Sequence, residues 1–241
     1  LYITLEMAEE RIAERIDANL FDVTIDDLHA MPKDLYDSKL SKLEGKTKGK
    51  LIIKEYPTAS AHSGHFRSLL NELSLKKSFK PQVIFIDYLN ICASSRFKGG
   101  NISSYFYIKA IAEELRGLAV EFDVPIFSAT QTTRTGFVST DIGLEDTSES
   151  FGLPATADFM FALMSNEELE SLGQMKVKQL KNRYNDPSIN RSFIIGIDKS
   201  KMRLYDVENT AQNIVDSNQT KEKENYPTPE QSYDKFSDFK L

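Results

Sequence analysis

Leu1-Tyr2-Ile3-Thr4-Leu5-Glu6 and Gln82-Val83-Ile84-Phe85-Ile86-Asp87 are the two stretches on which the fold turns. Each is a short run of β-branched and aromatic residues without polar alternation, and each ends in one carboxylate. Such runs read as strands buried on both faces, the strand type of parallel α/β sheets. Ligands of these sheets sit at the carboxyl ends of the strands, so Glu6 and Asp87 are expected at the ligand edge of one sheet. One carboxylate to hold a metal and one to activate water is the equipment of nucleotide hydrolysis. Taken singly, either residue is as well explained as a strand end or the cap of the following helix.

Between and beyond these runs the pattern alternates. Met7 to Leu20 reads as a charged helix with Ile12, Ile16 and Leu20 on one face. Thr24 caps a short helix over Ile25 to His29, and a further helix from Lys33 to Leu43 begins just after Pro32. Leu51 to Lys54 is a short strand, and Phe66 to Leu75 is an amphipathic helix. The Asp87 strand leads into a polar loop from Ala93 to Ser104, then a strong helix from Tyr105 to Phe122. Val124 to Thr130 is the next strand, ending at Gln131, and a second long loop (Thr132 to Gly152) leads to the strand Phe159 to Leu163. The pattern then changes: Met175 to Leu180, Ser192 to Ile197 and Met202 to Val207 are short strands, with Gly, Asn and Pro between the first two as in hairpins. The fold class is therefore α/β, a mainly parallel sheet flanked by helices with a C-terminal antiparallel β extension. The domain is expected over 1–208. Residues 209–241 read as a disordered polar tail, whose end (Tyr233 to Leu241) regains aromatics as a docking peptide would.

The bulk numbers narrow the class. At 241 residues there is room for one domain with a proper core and a tail. No stretch approaches the roughly 18 apolar residues of a membrane span, so no membrane partner is expected. The single Cys92 excludes an internal disulfide and suits a reducing compartment, hence a cytoplasmic placement (the host cytoplasm, if viral). His29, His62 and His65 do not cluster with it, which argues against structural zinc. A net charge of −6 argues against coating nucleic acid with the whole surface but not against a local channel. The chain opens on Leu1, inside what reads as a strand, so a fragment is expected, with its upstream part missing.

Four segments in order carry a resemblance: Thr4-Leu5-Glu6-Met7, Ile86-Asp87-Tyr88-Leu89, Ala129-Thr130-Gln131-Thr132 and Lys181-Asn182-Arg183. Together with Ile111 to Arg116 and Gly152 to Met160, this set resembles the RecA-like P-loop NTPase core of DnaB-type replicative helicases. The branch it most resembles is that of T-even-type bacteriophages. The resemblance runs from residue 1 to about Val207 and implies an ATP-driven, homo-hexameric DNA helicase that translocates on single-stranded DNA, with a primase and a helicase loader as partners. It implies Glu6 as the residue that orients or deprotonates the attacking water, and Asp87 as the Walker B aspartate that holds Mg²⁺ through water. It implies Gln131 as a sensor of the γ-phosphate of ATP. Lys181 and Arg183, one residue apart, would point to one face of a strand. The resemblance makes them the finger and companion reaching a neighbouring subunit's ATP.

The two long loops would face single-stranded DNA, with Arg96 and Lys98 beside Gly99-Gly100 in the first, and Arg134, Phe137, Ser148 and Glu149 in the second. Where many relatives carry an arginine just before Glu-Ser, this chain has Ser148, so backbone amides are expected to share the contact. Few aromatics stand in either loop, which argues against a base-stacking platform. A phosphate loop G-x-x-x-x-G-K-[ST] is missing. Gly45-Lys46-Thr47 imitates its end, but the first glycine would fall at Leu40 and no strand leads in. The family places that loop upstream, and the isolated fragment is expected to be inactive. Two other readings stand beside the helicase: a recombinase-type DNA-dependent ATPase and a non-catalytic, partner-binding module of the same fold.

Overall fold

The computed structural model describes residues 1–97, 102–132, 142–146, 152–186 and 188–208. Strand β1 (Tyr2–Thr4) is followed by α1 (Glu9–Phe21), α2 (Ile25–Ala30), α3 (Lys33–Glu44), β2 (Ile53–Glu55) and α4 (Ser63–Lys77). Strand β3 (Ile84–Asp87), α5 (Ser104–Phe122) and β4 (Ile126–Ser128) complete a first half. Its four strands form a wholly parallel sheet in the order β2-β1-β3-β4. Strands β1 and β3 are therefore neighbours although some eighty residues separate them, and their register pairs Tyr2 with Phe85 and Thr4 with Asp87.

The core lies on one side of this sheet. Ile3, Leu5, Ile84 and Ile86 pack against Phe66, Leu69, Leu70 and Leu73 of α4 and Ile108, Ile111, Leu115 and Leu118 of α5. The opposite row is half open: Phe85 is 41% and Phe127 50% exposed, and Tyr2, Phe85 and Phe127 stack in a ladder with ring centroids 6.2 and 5.4 Å apart. The expectation of strands buried on both faces is thus corrected. Side chains alternate across a strand, and only the even residues of β3 and odd residues of β1 reach α4 and α5. Phe66 is 1% exposed at the centre of this packing. Phe66→Ala should cost about 3–5 kcal/mol, visible as a lowered midpoint in chemical denaturation.

Local chemistry sets the element ends. Thr24 caps α2 in a full capping box, its Oγ1 accepting from the Asp27 amide at 3.0 Å. Helix α1 begins at Glu9 rather than Met7 because the Thr4 hydroxyl bonds both the amide and the carbonyl of Met7 (3.0 and 2.8 Å), which turns the chain first. Helix α4 starts three residues earlier than its apolar face suggests, where the His62 side chain accepts from the Gly64 amide at 3.0 Å. Strand β2 lies at Ile53–Glu55, shifted from the expected 51–54, and β4 is shorter than the expected run, so Gln131 stands three residues past its end.

The second half contains α6 (Gly152–Thr156), β5 (Phe159–Met164), α7 (Glu167–Ser171), β6 (Gln174–Asn182), β7 (Ser192–Asp198) and β8 (Arg203–Asp206). Strands β5-β6-β7-β8 form an antiparallel sheet in sequence order. The change to antiparallel pairing comes one strand earlier than the sequence pattern suggested, since β5 pairs with β6. Its two aromatic residues, Phe159 and Phe161, are both half exposed, and the buried Ala162 and Met164 pack with Ile142. Within β7, a Cβ at Gly196 would lie 2.2 Å from the Tyr205 ring of β8, so only glycine lets that ring cross the strand. The tail expected over 209–241 lies outside the described residues. No helix among the described residues is long and apolar enough to cross a membrane.

Candidate active site

The parallel sheet carries Glu6 and Asp87 to the carboxyl ends of adjacent strands. Asp87 is the last residue of β3, and Glu6 follows β1 by two residues. The register of β1 and β3 sets Tyr2 and Thr4 on the same row as Phe85 and Asp87, and Glu6 follows in the turn just past Thr4. The turn that projects Glu6 is fixed on both sides: the Leu5 amide donates to the Asp87 carbonyl at 2.8 Å, and Thr58 Oγ1 to the Leu5 carbonyl at 2.6 Å. Glu6 itself is exposed.

Tyr2 holds one of the two carboxylates. Its hydroxyl donates to Asp87 Oδ2 at 2.8 Å. Burial first, then the hydrogen bond and charge of Asp87, push the Tyr2 phenol well up; Glu6 adds to the rise and Arg15 opposes it. The phenol therefore stays a donor at any working pH. Tyr2 escaped the sequence reading because its link to Asp87 is a diagonal pair across two strands. The register that reveals it depends on the strand pairing. Gln131 is drawn to the same corner, its Nε2 donating to the hydroxyl of Tyr88, the residue after Asp87, at 3.2 Å.

Asp87 suits a magnesium ion. A hard cation with octahedral preference keeps several waters and needs one or two carboxylates beside phosphate oxygens. Asp87 supplies one carboxylate at the strand edge, and no protein donor takes its Oδ1 among the described residues. A clustered site is not what is found: among the described residues no three His, Cys, Asp or Glu side chains gather for a metal. The Gly45-Lys46-Thr47 segment follows the C-terminal end of α3, with Gly45 as its C-cap. A phosphate loop instead leads from a strand into a helix N-terminus.

Lys181 and Arg183 lie together but apart from this corner. Lys181 Nζ donates to the Pro154 carbonyl and, at 3.4 Å, to that of Ala155. Arg183 donates to the Ala155 carbonyl at 2.7 Å and to Asp158 Oδ1 at 2.9 Å. Arg116 of α5 reaches the same Oδ1 at 2.6 Å and the Thr156 carbonyl at 2.9 Å. Two guanidiniums thus share one carboxylate, and the Arg116 hydrogen bond is the first cause that holds Asp158 below the usual carboxylate range. Desolvation, then the Arg183 charge, lowers Lys181. None of these partners belongs to the Glu6–Asp87 cluster.

Of the expected DNA contacts, Arg96 is described: it is half exposed and ion-paired with Glu113 of α5. Lys98, Arg134, Phe137, Ser148 and Glu149 lie outside the described residues. Cys92, buried beneath this segment, is free. Desolvation and then the Glu114 charge push its thiol up to about 12.

Residues 1–209 match the model of the DnaB-like helicase C-terminal domain. Over 212 residues the chain is 46% identical to the DnaB-like replicative helicase of Enterobacteria phage T4, covering 86% of this chain and 44% of that protein. It is 33% identical over 135 residues to a probable plasmid replicative DNA helicase of Chlamydia trachomatis serovar L2, covering 55% of this chain and 28% of that protein. The chain spans less than half the length of these curated relatives. Among solved structures, one described as an ATPase domain superposes with a TM-score of 0.68 at 20% identity, covering 86% of this chain and 74% of that one. A DnaB-like replicative helicase described with its interactions with primase superposes at 0.67, also at 20% identity, covering 86% of this chain and 50% of that one. At that identity the superpositions speak for the fold, and the family match and the phage relative for kinship. On these grounds the chain belongs to the DnaB-like helicase C-terminal domain family.

Proposed function

We propose that the intact protein is a ring-forming, ATP-driven DNA helicase, a homo-hexamer that translocates on single-stranded DNA and unwinds duplex ahead of it. The observation that carries this reading is the pair of carboxylates at the carboxyl ends of adjacent parallel strands, Asp87 held by the Tyr2 hydroxyl, in a chain of the DnaB-like family. Glu6, exposed and free to rotate, orients or deprotonates the attacking water. Asp87 would hold Mg²⁺ through water, and the bound ion would neutralise charge at the phosphates. Gln131 reads the γ-phosphate of ATP from beside Tyr88, so its amide links the nucleotide to the loop that follows β4. Lys181 and Arg183 serve the nucleotide of a neighbouring subunit, which agrees with their separation from this chain's own carboxylates.

Arg96 and Lys98 in the first loop, and Arg134, Ser148 and Glu149 in the second, face the DNA backbone in this reading. The phosphate cradle is absent from these 241 residues and has to come from elsewhere in the intact protein. A primase and a helicase loader are the partners such a ring would meet, in the cytoplasm where replication proceeds. The stretch 209–241 is then a tail outside the catalytic domain.

Forked-duplex unwinding by the intact protein tests the proposal. We expect ATP-dependent strand separation that needs a single-stranded arm and no strand exchange between homologous duplexes. Strand exchange without unwinding would transfer the reading to a recombinase, and neither activity would leave a partner-binding module.

A further inference from the structure

Glu114 has no part in the site above, yet it is an ionisable group only 9% exposed on the inner face of α5. A charge there is costly unless fully hydrogen-bonded, and this one is met from several sides. Ser94 Oγ donates to its Oε1 at 2.6 Å; Ser95 donates to Oε2 through its hydroxyl at 2.7 Å and its amide at 2.9 Å. The Arg96 amide reaches Oε1 at 3.3 Å, and Ser63, the first residue of α4, donates to Oε2 at 2.9 Å. Burial works against the charge, but the Ser94, Ser95 and Ser63 donors outweigh it and hold the carboxyl below the usual glutamate range.

The same three residues are gripped twice more from α5. The Ser94 amide donates to the Tyr107 hydroxyl at 3.1 Å, and Glu113 takes the Arg96 guanidinium. Helix α5 thus fixes both the backbone and the side chain of the segment with which the first loop begins. An apolar residue at position 114 would serve packing alone at no greater cost. A carboxylate is the group that satisfies the otherwise stranded amide of Ser95, and it shares the Arg96 amide with Ser94 Oγ (3.2 Å), in one backbone conformation.

We propose that Glu114 is a positioning residue for DNA, setting the Ser94–Arg96 segment so that Arg96 meets the phosphate backbone in a fixed pose. The inference rests on the reading of Arg96 as a DNA contact. The test uses the intact protein with oligothymidylate, measuring ATPase stimulation against oligonucleotide concentration and binding by anisotropy at several salt concentrations. Glu114→Gln sets an NH₂ group where hydroxyl and amide donors already point. It should raise the concentration for half-maximal stimulation about tenfold, with the DNA-free and saturated rates retained and the salt slope unchanged. Arg96→Ala should weaken binding and make the log–log salt slope shallower by about one phosphate contact.

Half-saturation unchanged by Glu114→Gln, alongside weakened binding by Arg96→Ala, overturns the positioning role and leaves the DNA reading standing. If neither variant moves, the Arg96 reading falls and takes this inference with it. A lowered melting temperature and DNA-free rate without a change in half-saturation would make Glu114 a fold staple, which also overturns it. Should Glu114→Gln fail to fold, Ser95→Ala decides, because it keeps the backbone bonds and removes one hydroxyl. A smaller shift of half-saturation in the same direction supports the proposal, and no shift overturns it.

Discussion

Glu6→Gln in the intact protein is expected to lower ATP hydrolysis by about 10²–10⁴-fold, the range lost when a general base is removed. Nucleotide affinity should hold and unwinding should vanish with hydrolysis. The fold gives the substitution little else to disturb. Glu6 is exposed, and the turn that projects it is built from Thr4, Leu5 and Thr58 rather than from its own side chain. An exposed, isosteric change of this kind is normally within about 0.5 kcal/mol of neutral in stability. Steady-state hydrolysis with a parallel nucleotide-binding titration separates the outcomes. Unaltered hydrolysis would reduce Glu6 to a strand end and pass the water-activating role to another residue.

Arg183→Ala should be comparably severe, about 10³-fold or more, if its guanidinium stabilises the phosphoryl group of the adjoining subunit. Because the defect lies in trans, mixing offers a sharper readout than the single variant. Rings assembled from Glu6→Gln and Arg183→Ala subunits contain junctions where an intact Glu6 faces an intact Arg183, and hydrolysis should reappear on mixing two inactive preparations. Arg183→Lys should rescue poorly, since an ammonium cannot reproduce a planar two-pronged donor. The fold should tolerate the loss, because Arg116 remains on Asp158 Oδ1 at 2.6 Å and the carboxylate is not left alone. Failure of mixing to restore activity, with a lowered melting temperature for Arg183→Ala, would mean that the residue merely braces α6.

The sequence carried the site's outline where the deciding contact is local or periodic. The Thr24 cap, the α5 helix, and the carboxylates at the ends of β1 and β3 all follow from neighbours within a few residues or from strand pattern. It misjudged the outward row of β1 and β3, because Tyr2, Phe85 and Phe127 are apolar whether or not anything packs on them, and composition does not say which face a helix will cover. It also missed Tyr2, Asp158 and Glu114 as partners. The donors to Glu114 lie 18 to 51 residues away in the chain, and those to Asp158 come from α5 and from just past the end of β6. Such links exist only after three elements have docked, and no periodicity announces them.

The pairing of Tyr2 with Phe85 and Thr4 with Asp87 does more than order a sheet. A slip of one residue between these strands would part Thr4, and Glu6 in the turn beyond it, from Asp87, and would also drive Ile3 out of the core and Tyr2 into it. Chemical alignment and oil-like burial are thus one constraint read on two sides of the same ribbon. The chain cannot misplace its carboxylates without visibly unfolding, so selection for a stable interior also protects the geometry of the reaction.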